Sequence, residues 1–481
     1  MSINLIHSVK WSALSEVISK VLPPLFYIVT ARLLTPEDFG IVATSAMIIA
    51  LSNILWEAGL AKKLIQIQDN SKLNHACNIV FYSNVVLALL VYLLLFFSSG
   101  LLASFFQQSE ISNVIIISGL AIIAGAFSSV QTALLQKFFN YKKLFYARFC
   151  GSIIPGIISV TLAYWGYGYW ALVIGSVVSL FVQAVVLWMI SDWRPTYSYD
   201  FKLAKSMFNF SKWVLVSSLL SWCFIWGDIF VLSYFFKLHE VGLYRTGNYF
   251  VMTVIGLITA PIVPVMYSYF SSIQNDLKNL GDSLLFTSKC ISFFVLPIGV
   301  GLFLVQVPLA ELVFGEKWLG IGSVLGVLAL MHSFSWIIGL NNEAYKAIGR
   351  PDLETKVLIF NLFIYAFVYV IAAQISFEIF LMSRLMLALI SIFSHIYVSE
   401  KLLKIGFVKT FHNIFSILIL LLVVVVLNSI LLPQIDSLIL MLASLSFSLL
   451  VYLGGIYILD KAFLLRMMRI ISGRNKNVVE N

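Results

Sequence analysis

The sequence predicts an all-α, polytopic membrane protein with about fourteen transmembrane helices, and three observations predict it. Apolar residues make up 60% of the chain and charged residues 11%, against roughly 45–50% and about 25% in soluble domains. Mean hydropathy is +0.97. A soluble fold of 481 residues would lack the charge to cover its surface, whereas in lipid an apolar surface is the correct exterior. Second, the apolar residues fall in continuous runs of the length that crosses a bilayer as a helix, about 20 residues. Transmembrane barrels instead show alternating segments of about ten residues. Third, the basic residues are distributed unevenly between the loops.

In chain order the runs are 11–31, 39–60, 76–97, 112–135, 149–165, 168–190, 213–236, 241–270, 284–306, 320–342, 357–374, 377–398, 412–432 and 438–459. The fifth is short. Prolines 23, 24, 155, 261, 264 and 297 place bends in the first, fifth, eighth and ninth. With the N-terminus placed in the cytoplasm, 25 of the 31 Lys and Arg residues fall in cytoplasmic segments. Arg32, Lys237 and Lys317 lie in outer loops, and Lys20, Arg245 and Arg384 lie within spans. Such asymmetry predicts that both ends are cytoplasmic. The net charge of +9 follows from this topology and gives no reason to expect nucleic-acid binding. The first apolar run reads as part of the fold and not as a cleavable leader.

A faint internal repeat organises the chain. Residues 10–46 laid over 212–248 without gaps give seven identities: Lys10/Lys212, Trp11/Trp213, Ser15/Ser217, Ser19/Ser221, Val29/Val231, Gly40/Gly242 and Thr44/Thr246. The copies begin the first and seventh spans, so six spans separate them and both halves share one orientation. The expected organisation is an N-terminal six-helix lobe (1–206), a second six-helix lobe (207–408), two added helices (409–459) and a basic cytoplasmic tail (460–481). The run Ile417 to Leu427 in the thirteenth span is apolar on every side, which suits lipid or apolar protein and not an aqueous path.

The chemical motifs of enzymes are missing from the sequence. It contains no phosphate-binding GxxxxGK[ST] loop, no HExxH, no GxSxG and no paired Cys/His cluster, so neither a catalytic constellation, a metal nor a cofactor is expected. Cys77, Cys150, Cys223 and Cys290 read as small packing residues, and the six histidines as loop and span-end residues. The functional candidates are instead the intramembrane charges, which cost roughly 2.5–3.5 kcal/mol each on insertion scales. Lys20 lies deepest, with Glu16 one turn before it. The two form either a self-neutralising pair or a cationic lining over which Glu16 competes. Pro23 and Pro24 follow, and Pro24 removes the donor for the Lys20 carbonyl, so charge and a bend share one depth. Asp228 in the seventh span is either a coupling site able to pair with Lys20 or a polar contact near the outer interface. Arg32, Arg245 and Arg384 lie at outer span ends, as a cationic rim or as snorkelling side chains, and Arg148 opens the fifth span from the inner side.

Five segments, in order, resemble the bacterial polysaccharide flippases of the multidrug/oligosaccharidyl-lipid/polysaccharide exporter superfamily. They are Ala31-Arg32-Leu33-Leu34-Thr35-Pro36-Glu37-Asp38-Phe39-Gly40, Trp56-Glu57-Ala58-Gly59-Leu60 with Leu64-Ile65-Gln66, Gly166-Tyr167-Gly168-Tyr169-Trp170-Ala171-Leu172-Val173, Phe314-Gly315-Glu316-Lys317-Trp318 and Ala347-Ile348-Gly349-Arg350-Pro351-Asp352. In the second segment Glu57 replaces the Asp usual in the family. The resemblance implies a transporter that moves an undecaprenyl-pyrophosphate-linked oligosaccharide from the inner to the outer leaflet of the bacterial inner membrane. It implies the bilayer and the lipid-linked oligosaccharide as partners, with polysaccharide polymerase and chain-length machinery as further candidates. The expected cationic substrate contacts are Lys20, Arg32, Arg148 and Arg245, and the expected gating or coupling residues are Glu16, Pro23, Pro24 and Asp228. Only Arg32 comes from a family segment. A multidrug or cation antiporter of the same superfamily would favour acidic residues in its cavity, whereas the deep charges here are mixed. An integral membrane polymerase or acyltransferase would need catalytic groups, often on a long outer loop, which this chain lacks.

Overall fold

The computed structural model describes residues 22–57, 59–67, 69–431 and 438–471. Every regular element among them is helical. In order they are α1 (Leu22–Leu33), α2 (Pro36–Glu57), α3 (Leu60–Gln66), α4 (Asn70–Phe105), α5 (Glu110–Lys137), α6 (Tyr141–Tyr164), α7 (Trp170–Ile190), α8 (Phe201–Phe235) and α9 (Leu238–Ser272). There follow α10 (Leu277–Leu304), α11 (Gln306–Val313), α12 (Ile321–Ser335), α13 (Asn341–Ala347), α14 (Pro351–Ile375), α15 (Phe377–Leu403), α16 (Phe407–Leu431), α17 (Leu438–Leu459) and α18 (Lys461–Ile471). Among the described residues thirteen helical stretches are long and apolar enough to cross a membrane. With the shorter apolar helix α1, they accord with the expected fourteen crossings. The protein is a multi-pass membrane protein.

Local chemistry sets the helix ends. Asp200 accepts hydrogen bonds from the Lys202 and Leu203 amides at 2.8 and 3.1 Å and so starts α8. Asp276 does the same for α10 and Ser376 for α15. Each side chain satisfies amides that the first helical turn leaves without partners. Several helices extend beyond their apolar runs, most at the starts of the fifth and seventh. The fifth, expected as the short stretch 149–165, is the full helix Tyr141–Tyr164. The seventh begins at Phe201 and not near 213. In both, the helix continues through basic and aromatic residues, because backbone pairing does not stop where hydropathy falls. Prolines 155, 261, 264 and 297 all lie inside continuous helices.

The chain divides into two compact units, Met1–Thr246 and Gly247–Asn481. This division falls within α9, later than the lobe boundary at 206/207. The reason is visible where α2 meets α8 and the start of α9. A Cβ added to Gly40 would lie 2.0 Å from the Leu238 carbonyl oxygen, and one added to Gly242 would lie 1.8 Å from that of Pro36. The two backbones therefore touch, as small residues permit between membrane helices. In the repeat register Gly40 corresponds to Gly242 and Pro36 to Leu238, so each glycine receives the carbonyl of the other copy. Glu37 and its counterpart His239 pair directly at 2.7 Å. Thr44 bonds Ser233 of α8 at 2.8 Å, and its counterpart Thr246 bonds Tyr27 of α1 at 3.0 Å. The two glycine approaches are reciprocal in that register, while the hydroxyl partners Ser233 and Tyr27 are not register equivalents.

In the second unit α10 packs on α12, α14 on α15, and α16 on α10 and α17. The all-apolar run in α16 has two faces. Ile417, Leu420, Leu421 and Val424 are buried with Phe293, Tyr452 and Ile456, while Leu422 and Val426 face outward.

Candidate functional site

In the first unit the candidate charges converge on α8 and the beginning of α9. Asp228 is 5% exposed, and its Oδ2 accepts a hydrogen bond from the Tyr244 hydroxyl at 2.7 Å. Its Oδ1 accepts the Ile229 amide at 2.7 Å. A buried carboxylate is tolerated only with such partners. One residue beyond Tyr244, the Arg245 guanidinium lies 4.7 Å from the Trp226 ring centroid. That contact favours a cation over an aromatic face. Asp228, Tyr244, Trp226 and Arg245 thus form two interleaved pairs on adjacent helices, one anionic and one cationic. Of the residues expected from sequence, the structure brings Asp228 and Arg245 into this cluster. It buries Asp228 among protein groups.

The other expected residues lie elsewhere or outside the description. Glu16 and Lys20 fall outside the described residues. Pro23 and Pro24 lie in α1, which carries the exposed Arg32 at its other end. Arg148 is half-buried on α6.

The second unit holds polar groups that sequence reasoning did not select. His332 and His395 lie inside α12 and α15, not at loops or span ends as expected. His332 Nε2 donates to Asn248 Oδ1 at 2.7 Å. Around His395, the Tyr345 hydroxyl donates to the His395 carbonyl at 3.1 Å, and Asn341 Nδ2 donates to Ser399 Oγ at 2.7 Å. Nearby, Tyr365 donates to the Leu387 carbonyl at 3.1 Å, and Ser394 donates to Asn361 Oδ1 at 3.2 Å. The Arg384 guanidinium lies 5.3 Å from the Tyr369 ring. The signal was present: Arg384, Ser391, His395 and Ser399 recur at helical spacing along one apolar span.

Helices α10, α16 and α17 line a half-open cleft of about 560 Å³ whose lining includes Phe294, Pro297, Gly301, Val424, Leu445 and Tyr452. A wall of this kind accepts hydrocarbon and offers almost nothing to a polar group. All four cysteines are free, and among the described residues no group of three or more His, Cys, Asp or Glu side chains could hold a metal ion.

The profile of a family described as "Polysaccharide biosynthesis protein" matches residues 29–323, more than half of the chain. The succinoglycan biosynthesis transport protein ExoT of Rhizobium meliloti is 25% identical over 67% of this chain, which spans 65% of that relative, just under two thirds of its length. The teichuronic acid biosynthesis protein TuaB of Bacillus subtilis is 22% identical over 72% of this chain and 71% of its own. The lipopolysaccharide biosynthesis protein WzxC of Escherichia coli is 24% identical over 77% and 75%. Among solved structures, the lipid II flippase MurJ in an inward closed conformation superposes with a TM-score of 0.75 at 16% identity, covering 95% of this chain and all of its own. An inward-facing multidrug resistance MATE family transporter superposes with a TM-score of 0.61 at 14% identity, covering 80% and 96%. Both show the fold.

Proposed function

The chain belongs to the polysaccharide biosynthesis protein family, and from that premise we propose that it is a flippase. It moves an undecaprenyl-pyrophosphate-linked oligosaccharide from the inner to the outer leaflet by alternating access. The observation that carries this reading is the family match over residues 29–323 on a multi-pass helical chain. Relatives named for the transport step of succinoglycan synthesis and for lipopolysaccharide synthesis support the substrate class. The setting is the bacterial inner membrane with both termini cytoplasmic, and polymerase and chain-length proteins are the expected neighbours.

The substrate has two parts that need different surroundings. Its isoprenoid tail suits the apolar cleft of α10, α16 and α17. Its diphosphate needs cations, and the residues proposed for it are Lys20, Arg32, Arg148 and Arg245. The Arg245 guanidinium lies over the Trp226 ring, 4.7 Å from its centroid. Glu16, Pro23, Pro24 and Asp228 are the proposed gating or coupling residues. The membrane potential assists outward movement. One charge crossing 100 mV is worth about 2.3 kcal/mol, so a head group with roughly two negative charges gains on the order of 4–5 kcal/mol.

The test is a deletion strain that accumulates lipid-linked oligosaccharide on the inner leaflet and loses surface polysaccharide. The intact gene should reverse both. A Lys20→Glu variant that inserts at normal levels should restore neither, because it places an anion where the diphosphate passes. Full surface polysaccharide from that variant would remove Lys20 from the substrate path. Restored drug resistance without restored polysaccharide would replace the flippase reading with a drug antiporter.

A further inference from the structure

The last described helix carries a surface that the transport reading does not use. Helix α18 follows α17 after one residue, Asp460, so it begins at the bilayer boundary where that span ends. Its sequence, Lys461-Ala462-Phe463-Leu464-Leu465-Arg466-Met467-Met468-Arg469-Ile470-Ile471, has three basic residues and no acidic one. One face is fixed to the protein. Phe463, Leu464 and Met467 are buried in the cluster that contains Phe293, Tyr452 and Ile456. The Asp460 joint holds the angle: its carboxylate pairs with Lys289 of α10 and accepts the Ser416 hydroxyl of α16 at 2.9 Å. Burial by itself would raise the Asp460 carboxyl, but the hydrogen bonds from Lys289 and Ser416 and the lysine charge hold it below the usual carboxylate range. Asp460 is thus engaged inward.

With one face anchored, the opposite face has a set direction. Lys461, Leu465, Met468 and Arg469 are exposed there, with Leu465 at 43% and Met468 at 57%. Arg466 lies at the edge of this face with its guanidinium 4.2 Å from the Phe286 ring centroid. Large apolar side chains interleaved with cations fit neither water alone nor hydrocarbon alone. They fit the boundary between them, where apolar groups enter the acyl layer and cations meet headgroups. We propose that α18 is an in-plane helix whose Lys461, Arg466 and Arg469 engage the phosphates of anionic phospholipids while Leu465 and Met468 enter the acyl region. The occupant follows from charge complementarity, since the helix carries only positive charge and adjoins the end of a span.

The test uses the full-length protein, purified in mild detergent from membranes containing phosphatidylglycerol and phosphatidylethanolamine. Native mass spectrometry counts the lipids retained. The wild type should retain phosphatidylglycerol in preference. Lys461→Gln with Arg469→Gln should lower that preference by about fivefold for each charge removed, roughly twenty-five-fold together. Lys62→Gln with Lys63→Gln, on α3, should leave it unchanged. A double α18 variant that keeps the wild-type preference overturns the proposal. Should that variant fold poorly, hydrogen exchange of the wild-type 461–471 segment decides. Protection in phosphatidylglycerol nanodiscs that exceeds protection in phosphatidylcholine nanodiscs, and falls with salt, supports it. Equal, salt-independent exchange in both overturns it.

Discussion

At the scale of single residues, the Asp228–Tyr244 pair is the sharpest chemical feature of the first unit. The carboxylate is buried, and one of its two described donors is a side chain that a single atom change can remove. Tyr244→Phe leaves the acceptor in place without that donor, which typically costs about 1–3 kcal/mol. Asp228→Asn removes the charge and relieves the need. The double variant should therefore be more stable than the sum of the two single effects, a coupling that thermal unfolding of purified variants in detergent would measure. Strict additivity would mean that the hydrogen bond contributes nothing. Half of this pair was legible in the sequence. An acid inside an apolar span is conspicuous, so Asp228 was found. Tyr244 is one of 21 tyrosines in a chain where aromatics serve mostly as packing and belts, and its partner lies 16 residues away around a helix turn. His332 and His395 were missed for a related reason: their partners, Asn248 and Tyr345, come from other helices, which no local pattern joins to them.

At the scale of elements, the close crossing of α2 with α9 carries the clearest prediction. The identities Gly40/Gly242 and Thr44/Thr246 are small residues at the spacing that lets two membrane helices touch. A side chain at Gly40 would meet the Leu238 carbonyl oxygen, and backbone cannot move aside as a flexible side chain can. Gly40→Val and Gly242→Val should each destabilise by at least the 1–3 kcal/mol typical of overpacking. Gly100→Val on α4, where an added Cβ meets nothing within 4 Å, should be tolerated. Yield and melting temperature of the three variants in detergent would check this, and equal behaviour of Gly40→Val and Gly100→Val would deny the close crossing. The existence of the spanning helices was legible from hydropathy, but the short helices α3, α11 and α18 were not. Helix starts were not, because Tyr141–Arg148 and Phe201–Lys212 are polar enough to read as loops yet continue the backbone ladder. The caps at Asp200, Asp276 and Ser376 are local side-chain signals that apolar runs do not contain.

At the scale of the whole molecule, composition and charge asymmetry carried the membrane class and the family segments carried the fold, while the division into units did not follow from either. A repeat offset of 202 residues places the copies, but compactness follows contacts, and α8 with the first turns of α9 is held to α2 by the crossing just described. The proposed orientation rests on parity as well as on charge. Fourteen crossings return the chain to the side on which it began, and 25 of 31 basic residues then share that side. A green fluorescent protein fused after residue 481 should fluoresce, and alkaline phosphatase fused there should be inactive. Alkaline phosphatase fused within the turn Glu316–Trp318 should be active, because that turn carries Lys317, one of three basic residues assigned to the outer loops. Active phosphatase at both the C-terminus and this turn would put the two points on one side, which requires an even number of crossings between them and not the five of the fourteen-span reading. That result would also move α18 to the outer face, where its three cations would meet the opposite leaflet, so the same fusions fix which leaflet that helix faces.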